Sequence, residues 1–152
     1  MIVKLDRNGL EILDRDECQY LLGTQVLGRI GVTVDALPVV LPVNYQLFDG
    51  ELVFQTERDT RLANATHNTV VAFEVDHVES GGHGSWSVAI TGIASEIADP
   101  GLIAQLRELP FTRWVRNEND RYVGVSFDLM SGRRVTNLSE TDKIGRPFIG
   151  AV

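Results

Sequence analysis

The densest set of anion-binding side chains in this chain lies between Thr56 and Arg61, inside "FQTERDTRLANATHN". An apolar run ends there, and Thr56, Arg58, Asp59, Thr60 and Arg61 follow before a segment of helical composition. Hydroxyl and guanidinium donors at the start of a helix can do two things. They can cap it, since Thr and Asp side chains accept from first-turn amides. They can also bind an anion, since first-turn amides and the helix dipole favour negative charge. Asp59 opposes an anion unless it turns outward to cap. Local chemistry leaves both uses open, and they are compatible.

Other candidates carry less. His67, His77 and His83, with Glu74, Asp76 and Glu79, have no spacing that matches a zinc or iron pattern, and "HVESGGHG" reads as a glycine-rich hairpin tip, so no metal is expected. The sequence has no phosphate-binding Walker loop, no GxGxxG element and no serine-nucleophile elbow. Cys18, the one cysteine, falls on the apolar stripe of a helix and is expected to be packed rather than reactive.

Charge narrows the partners. The chain has 14 basic and 21 acidic side chains, a formal net charge of −7, with the basic residues scattered. Phosphate contacts dominate non-specific nucleic-acid affinity, so no nucleic-acid partner is expected. No apolar run has a membrane-spanning length, and "MIVKLDRNGL" lacks the apolar core of a secretory signal. Together with the single cysteine this points to the cytoplasm. One domain over residues 1–152 is expected, because 152 residues suffice for a single core.

The elements that must position these residues follow from periodicity. "DRDECQYLLG" reads as a first helix, with Asp14 capping, Glu17 three residues on, Gly23 at the end, and Cys18, Leu21 and Leu22 buried. "GRIGVTV" reads as a strand. In "LPVVLPVNYQLF", Leu37, Val39, Leu41, Val43, Tyr45 and Leu47 share one face, and Pro38 with Pro42 predicts an edge or bulged strand. Asp49-Gly50 is a hairpin turn from which "ELVFQTE" returns. "TVVAFEVDH" and "SWSVAITGIASEI" are further strands, the latter with Trp86, Val88 and Ile90 on one face and a bulge or close backbone approach at Gly92. Asp99-Pro100 opens a helix to about Leu109. "RYVGVSFDLM" and "SGRRVTNL" complete six or seven strands. The pattern is mainly β: an antiparallel barrel with short peripheral helices, an open sandwich being the competing architecture.

From "GRIGV" through "LPVNYQLFDGELVFQTERDTRLANATHNTVVAFEVD", then "SWSVAITGIASEI" and "RYVGVSFDLMSGRRV", the chain resembles the pyridoxamine 5′-phosphate oxidase-like superfamily, and more narrowly its short actinobacterial members. The resemblance runs from Asp14 to Val135. It implies a split β-barrel and a homodimer with flavin mononucleotide (FMN) in the groove between subunits. It further implies that Thr56, Thr60 and Arg61 hold the cofactor phosphate, although relatives often carry lysine at the Arg61 position. Pro42, Val43, Asn44 and Tyr45 would lie along the flavin ring, mainly through backbone groups, with Trp86 and Ser87 bordering it. Trp114, Arg133 and Arg134 fall in segments that approach the same groove in relatives.

The function this implies is an FMN-dependent oxidoreductase acting on a small molecule, in which the protein orients and shields the cofactor, so no catalytic side chain is assigned. The chain ends "TNLSETDKIGRPFIGAV" without the arginine–histidine substrate motif of true pyridoxamine phosphate oxidases, which argues against vitamin B6 oxidation. The alternatives are a non-catalytic module binding flavin, deazaflavin or haem, and a deazaflavin-dependent reductase. The acidic tail of a deazaflavin suits a more basic groove than a chain of charge −7 offers.

Overall fold

The computed structural model of the chain describes residues 2–111 and 120–136. In order these form β1 (Glu11–Leu13), α1 (Arg15–Leu22), β2 (Leu27–Val34), β3 (Leu37–Phe48), β4 (Glu51–Glu57), α2 (Arg61–Ala65), β5 (Thr69–His77), β6 (Trp86–Glu96), α3 (Pro100–Arg107), β7 (Asp120–Val125) and β8 (Leu129–Arg134). The ladders run β6–β5–β2–β3–β4–β7, and β6 pairs again with β7, so six antiparallel strands close on themselves. β8 adds to the other part of β6, and β1 to β8. The fold is the expected antiparallel barrel with short helices outside it, and closure rules out the open sandwich.

Side-chain alternation sets inside from outside. Along β6, Trp86, Val88, Ile90 and Ala94 are buried while Ala89 and Ile93 are exposed. Tyr45, Phe54, Phe73 and Ile30 complete the largest part of the core, with Tyr45 edge-on to Phe73 at 5.1 Å. The β3 alternation holds from Val39 onward; Leu37, next to the turn, is exposed. The Asp49-Gly50 turn has both residues at positive φ, 51° and 76°, as a two-residue hairpin loop requires.

β6 changes partner at Gly92. Trp86–Thr91 pair with β8, and Ala94–Glu96 pair with β7. The chain joining β7 to β8 crosses Gly92 so closely that a Cβ there would stand 1.8 Å from the Ser126 carbonyl oxygen. Ser126 locks the crossing: its hydroxyl accepts from the Ile93 N–H at 2.9 Å and donates to Asp128 at 2.7 Å. The close approach anticipated at Gly92 is therefore real. The same crossing ends β7 at Val125, five residues before the end of the single strand expected from "RYVGVSFDLM", and Leu129-Met130 belong to β8 instead.

Both capped helices form as read. Asp14 accepts from the Glu17 N–H at 2.9 Å, and Cys18, Leu21 and Leu22 are the buried residues of α1. Glu17 does not return to the cap as a capping box would have it; its carboxylate takes Arg134. Asp99 caps α3 at Leu102, with Pro100 in the first turn, and α3 buries Leu106 against Val53 and Tyr122 on the outer side of β4 and β7. The first ordered element is not the expected helix but β1, three residues paired to β8. So short a strand is held between β8 and the Lys4–Leu5 segment, pairings that periodicity does not reveal. No helix among the described residues is long and apolar enough to cross a membrane.

Candidate functional site

The Thr56–Arg61 cluster sits where β4 leaves the sheet and α2 begins. Thr56 is 7% exposed, and its hydroxyl lies 3.1 Å from that of Thr60. Thr60 is the N-cap: its oxygen accepts from the Ala63 N–H at 3.1 Å and donates to the Glu57 carbonyl at 3.0 Å. Capping consumes a Thr60 lone pair and the Glu57 carbonyl takes its proton, so Thr60 donates to an anion only by turning its O–H away from Glu57, with the cap kept. The first intrahelical bond runs from the Asn64 N–H to the Thr60 carbonyl, which places the Arg61 and Leu62 amides ahead of it in the first turn. Asp59 takes φ 62°, a left-handed turn conformation, and does not cap. Arg58 and Arg61 are exposed, and among the described residues neither has an acidic partner.

Pro42–Tyr45 lies on the neighbouring strand, where β3 and β4 part. The β3–β4 ladder stops at Tyr45↔Phe54, so among the described residues Leu37–Asn44 pairs only with β2 and its other edge is open. The Tyr45 N–H donates to the carbonyl of Val26, the residue just before β2, at 3.0 Å. Backbone direction alternates along a strand, so the even-numbered residues from Pro38 to Asn44 aim their polar groups at the open edge. Pro38 and Pro42 have no N–H to offer there, which fulfils the edge reading of the two prolines. What the edge presents near β4 is the Pro42 carbonyl and both main-chain groups of Asn44. Val43 and Tyr45 point inward: both are buried, and the Tyr45 hydroxyl donates to the Leu22 carbonyl while burial pushes its pKa up.

The remaining candidates are elsewhere in the single chain. Trp86 is a core residue at the start of β6, paired with His77 and Arg134, its ring 6.3 Å from that of His77. Ser87 lies on the outer face between Asp76 and Arg133. β2 and β5 separate both from Pro42–Tyr45. Arg133 and Arg134 are committed: Arg133 donates to Asp6 at 3.0 Å, and Arg134 bridges Glu11 and Glu17. They tie the N-terminal segment and α1 to β8. Trp114 lies outside the described residues. His77 and Glu79 pair at 2.9 Å in front of a tip whose Gly81, Gly82 and Gly84 all have positive φ, and among the described residues no three His, Cys, Asp or Glu side chains gather as a metal site. Cys18 is buried, and desolvation, reinforced by Asp14 and Glu17, pushes its thiol up to about 11, so it is packed and unreactive.

One residue that periodicity gave no reason to single out joins the cluster. Arg121 on β7 is the direct ladder partner of Thr56, and its guanidinium meets Glu96 of β6 at 3.4 Å.

The sequence pattern of the pyridoxamine 5′-phosphate oxidase family matches residues 14–134, which includes every element from α1 to β8. The chain belongs to that family. A protein of Mycobacterium tuberculosis, the uncharacterized Rv0080, is 33% identical over 134 residues, covering 85% of this chain and 88% of that one. The structure is similar to that of an FAD binding protein from Mycobacterium smegmatis, with a TM-score of 0.72 and 29% identity over 83% of this chain and 98% of the other. An FAD-binding protein from Mesorhizobium loti has a TM-score of 0.71 over 84% of this chain and 99% of its own; at 21% identity it shows the shared fold alone. Family membership covers both the turn with Thr56, Thr60 and Arg61 and the open edge at Pro42–Asn44.

Proposed function

We propose that this protein is a flavin-dependent oxidoreductase that binds FMN, works on a small molecule, and acts as a cytoplasmic homodimer built from one flavin-binding unit of residues 1–152. The observation that carries this reading is the juxtaposition of two complementary features at the parting of β3 and β4. One is a pair of hydroxyls 3.1 Å apart at a helix start, flanked by arginines without acidic partners among the described residues. The other is a strand edge, open among the described residues, that presents the Pro42 carbonyl and the Asn44 amide and carbonyl. A phosphate monoester needs several donors at once, and Thr56, Thr60, Arg61 and the first-turn amides supply them. The rim of a flavin ring carries both donors and acceptors, which suits the Pro42 and Asn44 main chain. The donor set fits the cofactor.

When bound, the flavin supplies the electron-transfer chemistry. The chain's part is to hold the phosphate with Thr56, Thr60 and Arg61, to orient the ring along Pro42–Tyr45, and to exclude water with the apolar residues behind Val43 and Tyr45. Likeness to the FAD binding protein of M. smegmatis supports a flavin without choosing between FMN and FAD, which share the phosphate next to the ribityl chain.

A second subunit is supported by the outer face of the barrel. Across it run Val40, Gly31, Ala72, Thr91 and Leu129 in ladder register, and Val70 pairs with Ile93 beside them. Val40, Val70, Ile93 and Leu129 are 51–69% exposed, an apolar strip on a floor of small residues that suits a flat, self-complementary contact. On this reading Trp86 and Ser87 complete the cofactor groove of the other copy.

The test is the absorbance spectrum of the purified protein, followed by titration with riboflavin, FMN and FAD. The two visible bands of an oxidised flavin, or FMN binding tighter than riboflavin, support the reading. A Soret band or the single band of a deazaflavin redirects it to another cofactor, and a colourless protein that takes up none of the three flavins removes it. Reduction of the bound flavin by a nicotinamide cofactor, followed by turnover with an acceptor, separates the enzyme from a non-catalytic binder.

A further inference from the structure

The end of the barrel beneath α2 carries a polar trio that the chain order hides. Thr56, Arg121 and Glu96 lie on the adjacent strands β4, β7 and β6. Directly paired residues share a face of the sheet, so Arg121 projects on the same side as Thr56, with Cβ atoms roughly 4.5–5.5 Å apart. Phe54 and Val123, one step inward, are the neighbouring pair on that face and both belong to the core. Arg121 therefore stands at the rim of the barrel, half-buried, in a place where an apolar side chain would close the core at less cost.

Its hydrogen bonding is incomplete. Nη1 meets Glu96 at 3.4 Å, a loose ion pair, while Nε is buried and has no acceptor among the described residues. A buried N–H without an acceptor is costly and calls for an explanation. A guanidinium offers five donors in a rigid fork suited to the oxygens of a phosphate. The hydroxyl next to it, that of Thr56, is already part of the proposed phosphate grip.

We propose that Arg121 is a further phosphate-contacting residue of the Thr56–Thr60 site, with the Glu96 carboxylate competing for its guanidinium. This rests on the flavin reading given above and extends it by a second cation from a different strand. Thr56 and Thr60 hold the phosphate from β4 and the helix start, and Arg121 closes on it from β7. Glu96 opposes binding, both by repelling the phosphate and by occupying Nη1.

The opposed signs make the test sharp. Affinities for FMN and for riboflavin are measured on Arg121→Gln, Arg121→Lys and Glu96→Gln, with folding checked by thermal melting. Arg121→Gln should weaken FMN about tenfold and leave riboflavin unchanged, while Glu96→Gln should strengthen FMN by about threefold, again without moving riboflavin. Arg121→Lys, which keeps the charge and loses the fork, should fall between Arg121→Gln and the unsubstituted protein. An ion pair that merely braces the rim would act otherwise: both deletions would weaken both ligands together, and that result overturns the proposal. So does an Arg121→Gln variant that binds FMN normally while Thr56→Val does not, which spares the phosphate grip and removes Arg121 from it. If the unsubstituted protein binds neither FMN nor riboflavin, the flavin reading itself fails and this assignment goes with it; if it binds the two equally, the flavin reading stands and the phosphate grip, Arg121 included, falls. Should Arg121→Gln fail to fold, the Glu96→Gln and Arg121→Lys arms still decide, since only a ligand contact moves them in opposite directions.

Discussion

Two pairs of arginines in this molecule look alike in the sequence and differ completely in the fold. Arg133 and Arg134 on β8 are spent. Asp6 holds the first, and Glu11 and Glu17 hold the second, in ion pairs whose side chains are 11–36% exposed. Arg58 and Arg61, beside the start of α2, are exposed and have no acidic partner among the described residues. The first pair fastens the N-terminal segment and α1 to the barrel. The second leaves its charge available to something outside the chain. In an acidic protein the location of an arginine says little; whether a carboxylate has already claimed it decides what it can do.

Gly92 divides these two regions, so its loss should have the largest effect. β6 serves β8 on one side of Gly92 and β7 on the other, and a Cβ there meets backbone, not a side chain that can move. Gly92→Ala is expected to cost about 4 kcal/mol or more, read by chemical denaturation. A loss below about 1 kcal/mol would mean that the crossing at Ser126 is soft.

The arginine comparison is broken more finely by exchanging losses. Arg134→Ala should lower stability by about 1–2 kcal/mol, because two carboxylates lose one shared partner, and should leave the FMN-to-riboflavin affinity ratio where it was. Arg61→Ala should do the reverse: stability within about 0.5 kcal/mol of the parent, and FMN about tenfold weaker with riboflavin unaffected. Equal effects of the two substitutions on stability and on FMN would erase the distinction.

Acid provides a third probe. At Asp6 desolvation acts to raise the pKa, but the Leu10 and Asn8 amides and Arg133 outweigh it and hold the carboxyl below its ordinary value. The folded state thus takes up that proton later than the unfolded chain. The stability it contributes is complete above the ordinary carboxylate range and is lost as pH falls through the lower, folded-state value. Arg133→Gln should shrink this acid-dependent part of stability, while Arg61→Ala should leave it untouched, as monitored by thermal melting between neutral and acid pH.

The smallest effect expected is at the β2–β3 turn, remote from both regions. Ala36 sits there at φ 63°, a left-handed conformation that costs a non-glycine residue about 1 kcal/mol or more. Ala36→Gly should stabilise the protein by about 0.5 kcal/mol after the entropy of glycine is subtracted, with flavin affinities unchanged.

Much of this was legible from residue order. Val43, Tyr45, Trp86, Val88 and Ile90 alternate with a period of two, and each is buried as that period requires. Asp14, Asp99 and Asp49-Gly50 mark caps and a turn through interactions only a few residues long. The two prolines of β3 announced an open edge because a missing N–H is a property of the residue itself. The break of "RYVGVSFDLM" at Ser126 was not legible, since it depends on Ile93, 33 residues away. Nor was β1, whose ladder is with β8 near the other end of the described chain.

Composition and spacing by themselves therefore determined the strands, their buried faces, the caps, and the presence of hydroxyls and arginines at a helix start. Only the tertiary structure decided which charges are neutralised and which strands stand side by side. The contacts that matter join residues 117, 123 and 127 positions apart around Arg134 and Arg133, and Thr56 meets Arg121 only because the barrel closes through β7. Hydrogen-bonded register and ion pairing are properties of that closure, and no local stretch of sequence contains them.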